Sequence, residues 1–314
     1  MVSGAIAPSR LPSVTPRVAT PFLKWAGGKG RLLPQLERFL PESMSGRGYV
    51  EPFMGSAALF FHVTQTRRPA RCTLLDVNAE LVNAFVQVRD QVEVVIHLLA
   101  QHDAAHNSTN ASEASRQTYY YRMRAQDPSH LTDAERAARF IYLNRTCYNG
   151  LHRTNSRGQF NVPIGRYAHP RVCDSLNLIQ CSRVLQDVTI EACEFADCTK
   201  FIAQGDFVYM DPPYAPLSPG SSFTAYSAQS FSEGDQKELS EMCARLAVRS
   251  DCMISNSSAP LVRRLYAGAP FTLHEVMAAR TINRSGERRG KIPEVVITTY
   301  PAKRTGTKKG GAES

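Results

Sequence analysis

The residues Asp211-Pro212-Pro213-Tyr214 follow directly on the apolar run Phe207-Val208-Tyr209-Met210. Four strand-forming residues ended by two prolines describe a buried strand with a fixed terminus, because proline has no N–H to continue a ladder. Beyond that terminus stand one carboxylate, free backbone carbonyls and one aromatic ring on a stiff loop. In open α/β sheets this is where ligands bind. Acceptors plus one flat face suit an exocyclic amine on a planar ring, such as the amino group of adenine. Such an amine is a poor nucleophile, since its lone pair is delocalised into the ring. Hydrogen bonds to the Asp211 carboxylate and the Pro212 carbonyl would localise that pair and orient it toward an electrophile. Tyr214 would stack on the base, which must leave a duplex to reach such a pocket. No metal is needed for this chemistry.

The elements that position this group, and a cofactor beside it, are legible nearby. Gly48 to Phe53 reads as a short strand running into the small-residue turn Met54-Gly55-Ser56-Ala57-Ala58 and a helix over Leu59 to Thr64. Strand, tight turn, helix is the geometry of a nucleotide-type cofactor site, although the turn lacks the Gly-x-Gly-x-x-Gly pattern. Cys72 to Leu75 is a second strand, ending in Asp76 about 20 residues beyond the glycine turn, the place of a ribose-binding acid. Asp76 can equally cap the helix Ala79 to Val88. Val188 to Phe195 is a third strand. Phe195 at its end has the composition of a core residue, and its position also allows packing on a cofactor ring.

Trp25-Ala26-Gly27-Gly28-Lys29-Gly30 invites comparison with a phosphate-binding loop and fails it. Leu23 stands where the first Gly belongs, and Gly30 replaces the Ser or Thr that would hold magnesium. The paired glycines still permit close backbone approach to a ligand. A kinase or ATPase reading is thereby disfavoured.

Composition bounds the rest. With 314 residues, 43% apolar and 21% charged, the chain is globular, and a formal charge of +9 with a pI near 9.2 points to nucleic acid. The eight cysteines form no Cys-x-x-Cys pair and read as buried thiols. No signal-peptide core and no membrane-length apolar run is present, so the expected location is the cytoplasm. Residues 1–20, rich in Ser, Pro, Ala and Arg, and the basic tail 302–314 read as disordered.

From about 90 to 180 the composition shifts. Val92 to Leu99, Arg116 to Arg124 and Ala134 to Leu143 are helical, with a polar linker at 104–115 and a capping box of Thr132 and Glu135. The stretch Asn144 to Tyr167 then reads as a turn followed by a β-hairpin around Ser156 to Gly158. Residues 144–171 hold five arginines and no Asp or Glu, interleaved with Tyr, Phe, Asn and His. Donor forks with aromatics and no acids are what reading base edges and splaying bases require. Further on, Ser218 to Ser230 reads as a mobile lid carrying Phe223 and Tyr226, Asp235 to Val248 and Pro260 to Tyr266 as helices, and Cys252 to Ser255 and Val295 to Tyr300 as strands. Arg280 to Lys291 is a basic loop between them.

In this order the chain resembles the Dam family of DNA adenine-N6 methyltransferases over nearly all of residues 21–300. The matching segments are LKWAGGK (Leu23 to Lys29), VEPFMGSAALF (Val50 to Phe60), Asn144 to Tyr167, and Asp211 to Tyr214. The resemblance implies an α/β fold: a seven-stranded Rossmann-like methyltransferase sheet, split as 21–89 and 181–301 around a mainly helical target-recognition domain at 90–180 that carries the hairpin. It implies S-adenosylmethionine as cofactor and double-stranded DNA as partner, with a cognate restriction endonuclease as a further partner such an enzyme can have. Carried over, Trp25, Lys29, Glu51, Phe53, Gly55, Ser56, Asp76 and Asp211 fall at the cofactor. Asp211, Pro212 and Tyr214 are catalytic. Tyr148, Asn149, Leu151, Arg153, Asn155, Pro163 and Arg166 fall at the DNA, with Arg153 reading a guanine. The Asn144 to Tyr167 match is to members that methylate GATC. One departure is Ala57, where the family often has Gly; an added methyl beside the cofactor is expected to weaken binding slightly. A non-catalytic DNA-binding protein is disfavoured by the intact Asp211 to Tyr214 group, an enzyme acting on protein glutamine by the arginine-rich stretch, and one acting on RNA adenine by the family resemblance.

Overall fold

The structure, a computed structural model, describes residues 18–217, 231–279 and 291–302. The lid expected at Ser218 to Ser230, nearly all of the basic loop 280–291, and the tails at 1–17 and 303–314 lie outside the described residues.

Seven strands form one sheet: β1 (Gly48–Glu51), β2 (Arg71–Asp76), β3 (Thr189–Ala192), β4 (Phe207–Met210), β5 (Asp251–Ser257), β6 (Thr272–Ala279) and β7 (Lys291–Thr298). Their order is β3-β2-β1-β4-β5-β7-β6. The first five run parallel, and β7 lies antiparallel to both β5 and β6. This is the Rossmann-like methyltransferase sheet that the resemblance implied. Residues of β1 and β4 are buried on both faces, as a parallel sheet covered by helices requires. The period of two is visible in the packing. Tyr49, Leu74, Phe207, Tyr209, Met253 and Val296 enter one cluster, whereas Val50, Leu75, Val208, Met210, Ile254 and Ile297 enter the other.

The helices that cover the sheet are α2 (Ala58–Thr66), α3 (Ala79–Asp90) and α7 (Ser175–Leu185) with the first cluster, and α8 (Glu233–Leu246) and α9 (Pro260–Leu265) with the second. After the glycine turn the chain makes a 3-10 turn at Lys29–Arg31 and the single turn α1 (Leu33–Leu36). Between α3 and α7 come α4 (Val92–Asn107), α5 (Glu113–Ala125) and α6 (Asp133–Thr146), with α6 packed on α3 and α4. The Thr132–Glu135 capping box forms as read from the sequence. Both α4 and α5 reach further than expected, so the linker between them shrinks to residues 108–112.

Two elements have no clear signature in the sequence. The helix α7 leaves Leu176 exposed, which blurs its apolar stripe. The strand β6 pairs only with β7 at the sheet edge, so it lacks the doubly buried run that marks β4. The third strand is shorter than expected, because the chain turns into a 3-10 helix at Phe195–Phe201. The hairpin at 154–160 is reduced to one antiparallel bridge, Thr154 to Phe160, around a turn in which Gly158 has φ 75°. All eight cysteines are free thiols, seven of them buried. Among the described residues no helix is long and apolar enough to cross a membrane.

The chain builds outward from β1 to β3 and then returns to place β4 on the other side of β1. The strand order therefore reverses between β1 and β4, and the ends of these two strands carry Glu51 and Asp211. Ligand crevices of open α/β sheets open at such a switch point.

Candidate active site

Asp211 stands one residue beyond β4, and its Oδ1 is 2.7 Å from the Lys29 Nζ. The same ammonium donates to the Gly27 carbonyl at 2.7 Å and lies 4.8 Å from the centre of the Tyr214 ring. Lys29 is buried and Asp211 nearly so, at 5% and 19% side-chain exposure. The lysine of the glycine turn is thus committed to the Asp211–Tyr214 loop rather than held out for a phosphate. Burial pushes the Asp211 carboxyl up, while the Lys29 charge and hydrogen bond oppose that rise. The cation therefore keeps a buried acid available as an acceptor.

Glu51, at the neighbouring strand end, is treated differently. Burial pushes its carboxyl well above the usual range, and the nearby Asp211 charge adds to the rise. It accepts a 2.8 Å hydrogen bond from the Tyr49 hydroxyl. The Tyr214 hydroxyl is held protonated, by burial and by the charges of Asp211 and Glu294. It donates to Glu294 on β7 at 2.8 Å.

The turn after β1 meets the end of β2 through Asp76. One carboxylate oxygen accepts from the Gly55 amide at 3.1 Å and the other from the Asn78 amide at 3.0 Å. The capping role left open for Asp76 falls to Asn78, whose side chain accepts from the amides of Glu80 and Leu81. Burial raises the Asp76 pKa to about 6. Gly55 has φ 46°, and a Cβ there would sit 2.8 Å from the Trp25 ring, so only glycine fits beneath this indole. Ser56 is buried against Gly28 of the first motif. Phe53 and Phe195 stack at 5.8 Å, and Phe231 closes the group at 5.9 and 5.3 Å. These three rings are partly buried against the second core cluster.

Ala57 is the left-handed N-cap of α2, with φ 52° and ψ 37°. Its methyl is fully buried in the core cluster with Phe60 and Phe61. The expectation of a methyl intruding on the cofactor is replaced by a different one, a backbone position that favours glycine.

Trp25 also joins the first motif to the arginine-rich stretch. Its ring stacks on His152 at 5.7 Å with 21° between the planes. Burial lowers the His152 pKa to about 4, leaving a neutral ring, and its Nδ1 is 3.4 Å from the Asn78 amide group. Asn144 clamps both backbone groups of Lys24, at 2.8 and 2.6 Å. The arginine-rich stretch is in this way fastened to the cofactor edge of the sheet.

Within that stretch, Tyr148 N donates to the Pro163 carbonyl at 2.9 Å, and Gly165 N to the Thr146 carbonyl at 2.8 Å. These pairings set Tyr148 beside Pro163 and Thr146 beside Gly165, while Leu151 packs against the core. Tyr148, Asn149, Pro163 and Arg166 are exposed. The Arg153 Nε donates to Asn161 Oδ1 at 2.6 Å, which aims the guanidinium. Asn155 accepts from the amides of Arg157 and Gln159 and so builds its own turn. Sequence reasoning missed Glu294, Phe231, His152, Asn144 and Asn161. Each is a single residue without a motif, except Asn144, Asn161 and His152, which lie inside the stretch already singled out.

Residues 25–282 match the family model of D12 class N6 adenine-specific DNA methyltransferases. The type II methyltransferase M1.LlaDCHI of Lactococcus lactis subsp. cremoris is 38% identical over 89% of this chain and 95% of its own length. The type II methyltransferase M.MjaIII of Methanocaldococcus jannaschii is 36% identical over 89% and 99%. The DNA adenine methylase of Serratia marcescens is 36% identical over 88% and 96%. Four-fifths of the chain under one model, and relatives matched along nearly their whole length, place it: it belongs to the D12 class of N6 adenine-specific DNA methyltransferases.

Proposed function

We propose that this protein transfers a methyl group from S-adenosylmethionine to N6 of an adenine flipped out of duplex DNA, within GATC. The observation that carries the reading is the Asp211 carboxylate at the switch point, held by Lys29 and followed by a proline-stiffened loop and the Tyr214 ring. The Asn144 to Tyr167 resemblance supports GATC, with 90–180 as the DNA-reading unit and 21–89 and 181–301 as the catalytic one. Acting on chromosomal DNA places the enzyme in the cytoplasm. A restriction endonuclease of the same specificity is the protein partner this activity would serve.

The residues present fit the cofactor. Asp76 receives one amide on each oxygen, and a carboxylate has lone pairs left over for ribose hydroxyls. Phe53, Phe195 and Phe231 offer ring faces, and Trp25 covers the turn at Gly55. When bound, S-adenosylmethionine supplies a methyl group on a positively charged sulfur. The chain's own residues then orient the nucleophile. Asp211 and the Pro212 carbonyl accept the two N6 hydrogens and turn the lone pair outward. Tyr214, tied at its hydroxyl, presents a ring face to the base. Lys29 opposes the rise that burial imposes on Asp211 and so favours its ionised form.

Incubation with tritiated S-adenosylmethionine and two duplexes, one with GATC and one scrambled, tests this directly. Label only in the first, recovered as N6-methyladenine, is the expected result. Label in both discards GATC and keeps the reaction. Label in neither discards the reading.

A further inference from the structure

The Asp211–Ala215 loop is tied from behind by side chains that lie outside every motif of the sequence. Gln236, on the first turns of α8, is 1% exposed, and Asn256, on β5, is 0% exposed. The Ala215 amide donates to Asn256 Oδ1 at 3.2 Å. Asn256 Nδ2 donates to Gln236 Oε1 at 3.0 Å, and Gln236 Nε2 donates to the Pro213 carbonyl at 2.9 Å. Ser257 completes the enclosure, its amide donating to Asn256 Oδ1 at 2.8 Å and its hydroxyl to the Ala215 carbonyl at 2.6 Å.

We propose that Gln236 and Asn256 are positioning residues for methyl transfer, forming an amide relay that fixes the orientation of the catalytic loop. The proposal rests on the adenine reading above. Its physical basis is the torsional freedom of the loop. The rings of Pro212 and Pro213 lock their own φ, and each proline restricts the residue before it to extended ψ. Asp211 and Pro212 are therefore nearly set by sequence alone. The first torsion left free is ψ of Pro213, which sets the direction of its carbonyl and of everything after it, Tyr214 included. Gln236 holds that carbonyl.

The polarity of the relay is fixed at both ends. An amide N–H at Ala215 can only donate, and a carbonyl at Pro213 can only accept. Asn256 and Gln236 must then both point one way, and no water or solvent exchange is available to scramble them. A buried network satisfied at every atom specifies one arrangement, and a network broken at one atom is costly.

This polarity gives a test with a signature. In Gln236→Glu the ionised side chain presents only acceptors to the Pro213 carbonyl. Once protonated it has an O–H to donate there and a carbonyl for Asn256, restoring the relay. At pH 8 we expect kcat to fall on the order of 10²-fold, the scale of a misplaced reacting group. KM for duplex and cofactor should stay within about 3-fold, since uniform binding is untouched. The ratio of variant to wild-type kcat should rise as pH falls toward 6, because burial raises a carboxyl pKa. Charged groups around position 236 are Glu233, Asp235, Lys237 and Glu238 on α8, Asp211 and Lys29 at the loop, and Glu294 on β7. Their own titrations occur in both proteins, so the ratio reports the new carboxyl together with its coupling to them. Gln236→Leu should lose kcat with a flat ratio, and adding Asn256→Leu to it should cost little more, because the two act as a unit.

Melting curves of all variants accompany the kinetics. Wild-type kcat in Gln236→Glu and Gln236→Leu would overturn the proposal. So would a Gln236→Glu loss that follows the melting temperature with a ratio flat in pH, which is the mark of a purely structural role. Absence of DNA label from the wild-type protein is a separate outcome: it removes the adenine reading, and the proposal with it.

Discussion

The loop at 211–215 and the arginine-rich loop at 148–167 are both irregular backbone, yet they are held differently. In the first, buried side chains grip the backbone: Lys29 takes the carboxylate, Gln236 the Pro213 carbonyl, Asn256 and Ser257 the groups of Ala215. In the second, backbone also pairs with backbone at Tyr148–Pro163 and Thr146–Gly165, the Asn144 and Tyr120 side chains donate to the carbonyls of Gly150 and Val162, and side chains such as Tyr148, 48% exposed, face outward. On the proposed function, the difference follows from the tasks. Orienting a weak nucleophile needs acceptors fixed before the substrate arrives, in a site dry enough for hydrogen bonds to count. Reading a duplex needs side chains that can reach the DNA, and Tyr148, Asn149 and Arg166 are exposed.

The sharpest way to break this contrast is Asp211→Ala. Methyl transfer should fall on the order of 10³-fold or more, because an interaction made to the reacting amine is lost. Duplex affinity, measured by fluorescence anisotropy, should stay within about 3-fold of wild type. Joint collapse of binding and catalysis would show that the two loops are one unit. Next in size is Lys29→Ala, which leaves burial of Asp211 unopposed. The Asp211 pKa then climbs further, so a larger fraction is protonated at any given pH. Activity near pH 7 should drop roughly 10- to 100-fold and recover in part as pH rises. A loss independent of pH would mean that the lysine serves some other end.

On the recognition side, Arg153→Ala should lose about 1–3 kcal/mol of discrimination at one base pair, with kcat on the preferred duplex little changed. Rates on duplexes varied at each position of the site give the answer, and an unaltered preference removes Arg153 as a reader. The cofactor edge gives a smaller effect. With a pKa of about 6, Asp76 is ionised above that pH and neutral below it. Ribose hydroxyls donate better to the ionised form, so cofactor affinity should strengthen as pH rises through 6. Asp76→Asn should weaken binding about 10-fold, the scale of a hydrogen bond to a charged group, and abolish the inflection. Calorimetry at pH 5.5 and 7.5 decides it.

The sequence discloses the two loops unequally. Phe207 to Met210 is legible because a doubly buried parallel strand is apolar at every position, and Pro212 and Pro213 mark its end without ambiguity. The arginines of 144–171 are legible because the absence of acids is itself a pattern. Gln236, Asn256 and Glu294 are not. Each is one polar residue within an ordinary helix or strand, and its meaning arises only when α8, β5 and β7 converge behind the loop. Phe231 is hidden in another way, since an apolar residue just before the Ser232 cap of α8 reads as a helix-entry contact. The edge strand β6 escapes because it has one partner and so no buried run.

Ala57 tests how far a residue at the catalytic edge can belong to the fold instead of the site. Its left-handed backbone costs an L-residue roughly 1–2 kcal/mol, and glycine would relieve that. The same substitution removes a buried methyl worth about 0.8 kcal/mol and adds unfolded-state entropy worth about 0.5–1 kcal/mol. The terms nearly cancel, so Ala57→Gly should shift stability by less than about 1 kcal/mol, or a melting temperature by no more than about 4 °C. Because the methyl points into the cluster of Phe60 and Phe61, cofactor affinity should not change. A tighter cofactor complex in the glycine variant would mean that the methyl is felt across the turn at Gly55, and that the core beneath the site is part of its binding surface after all.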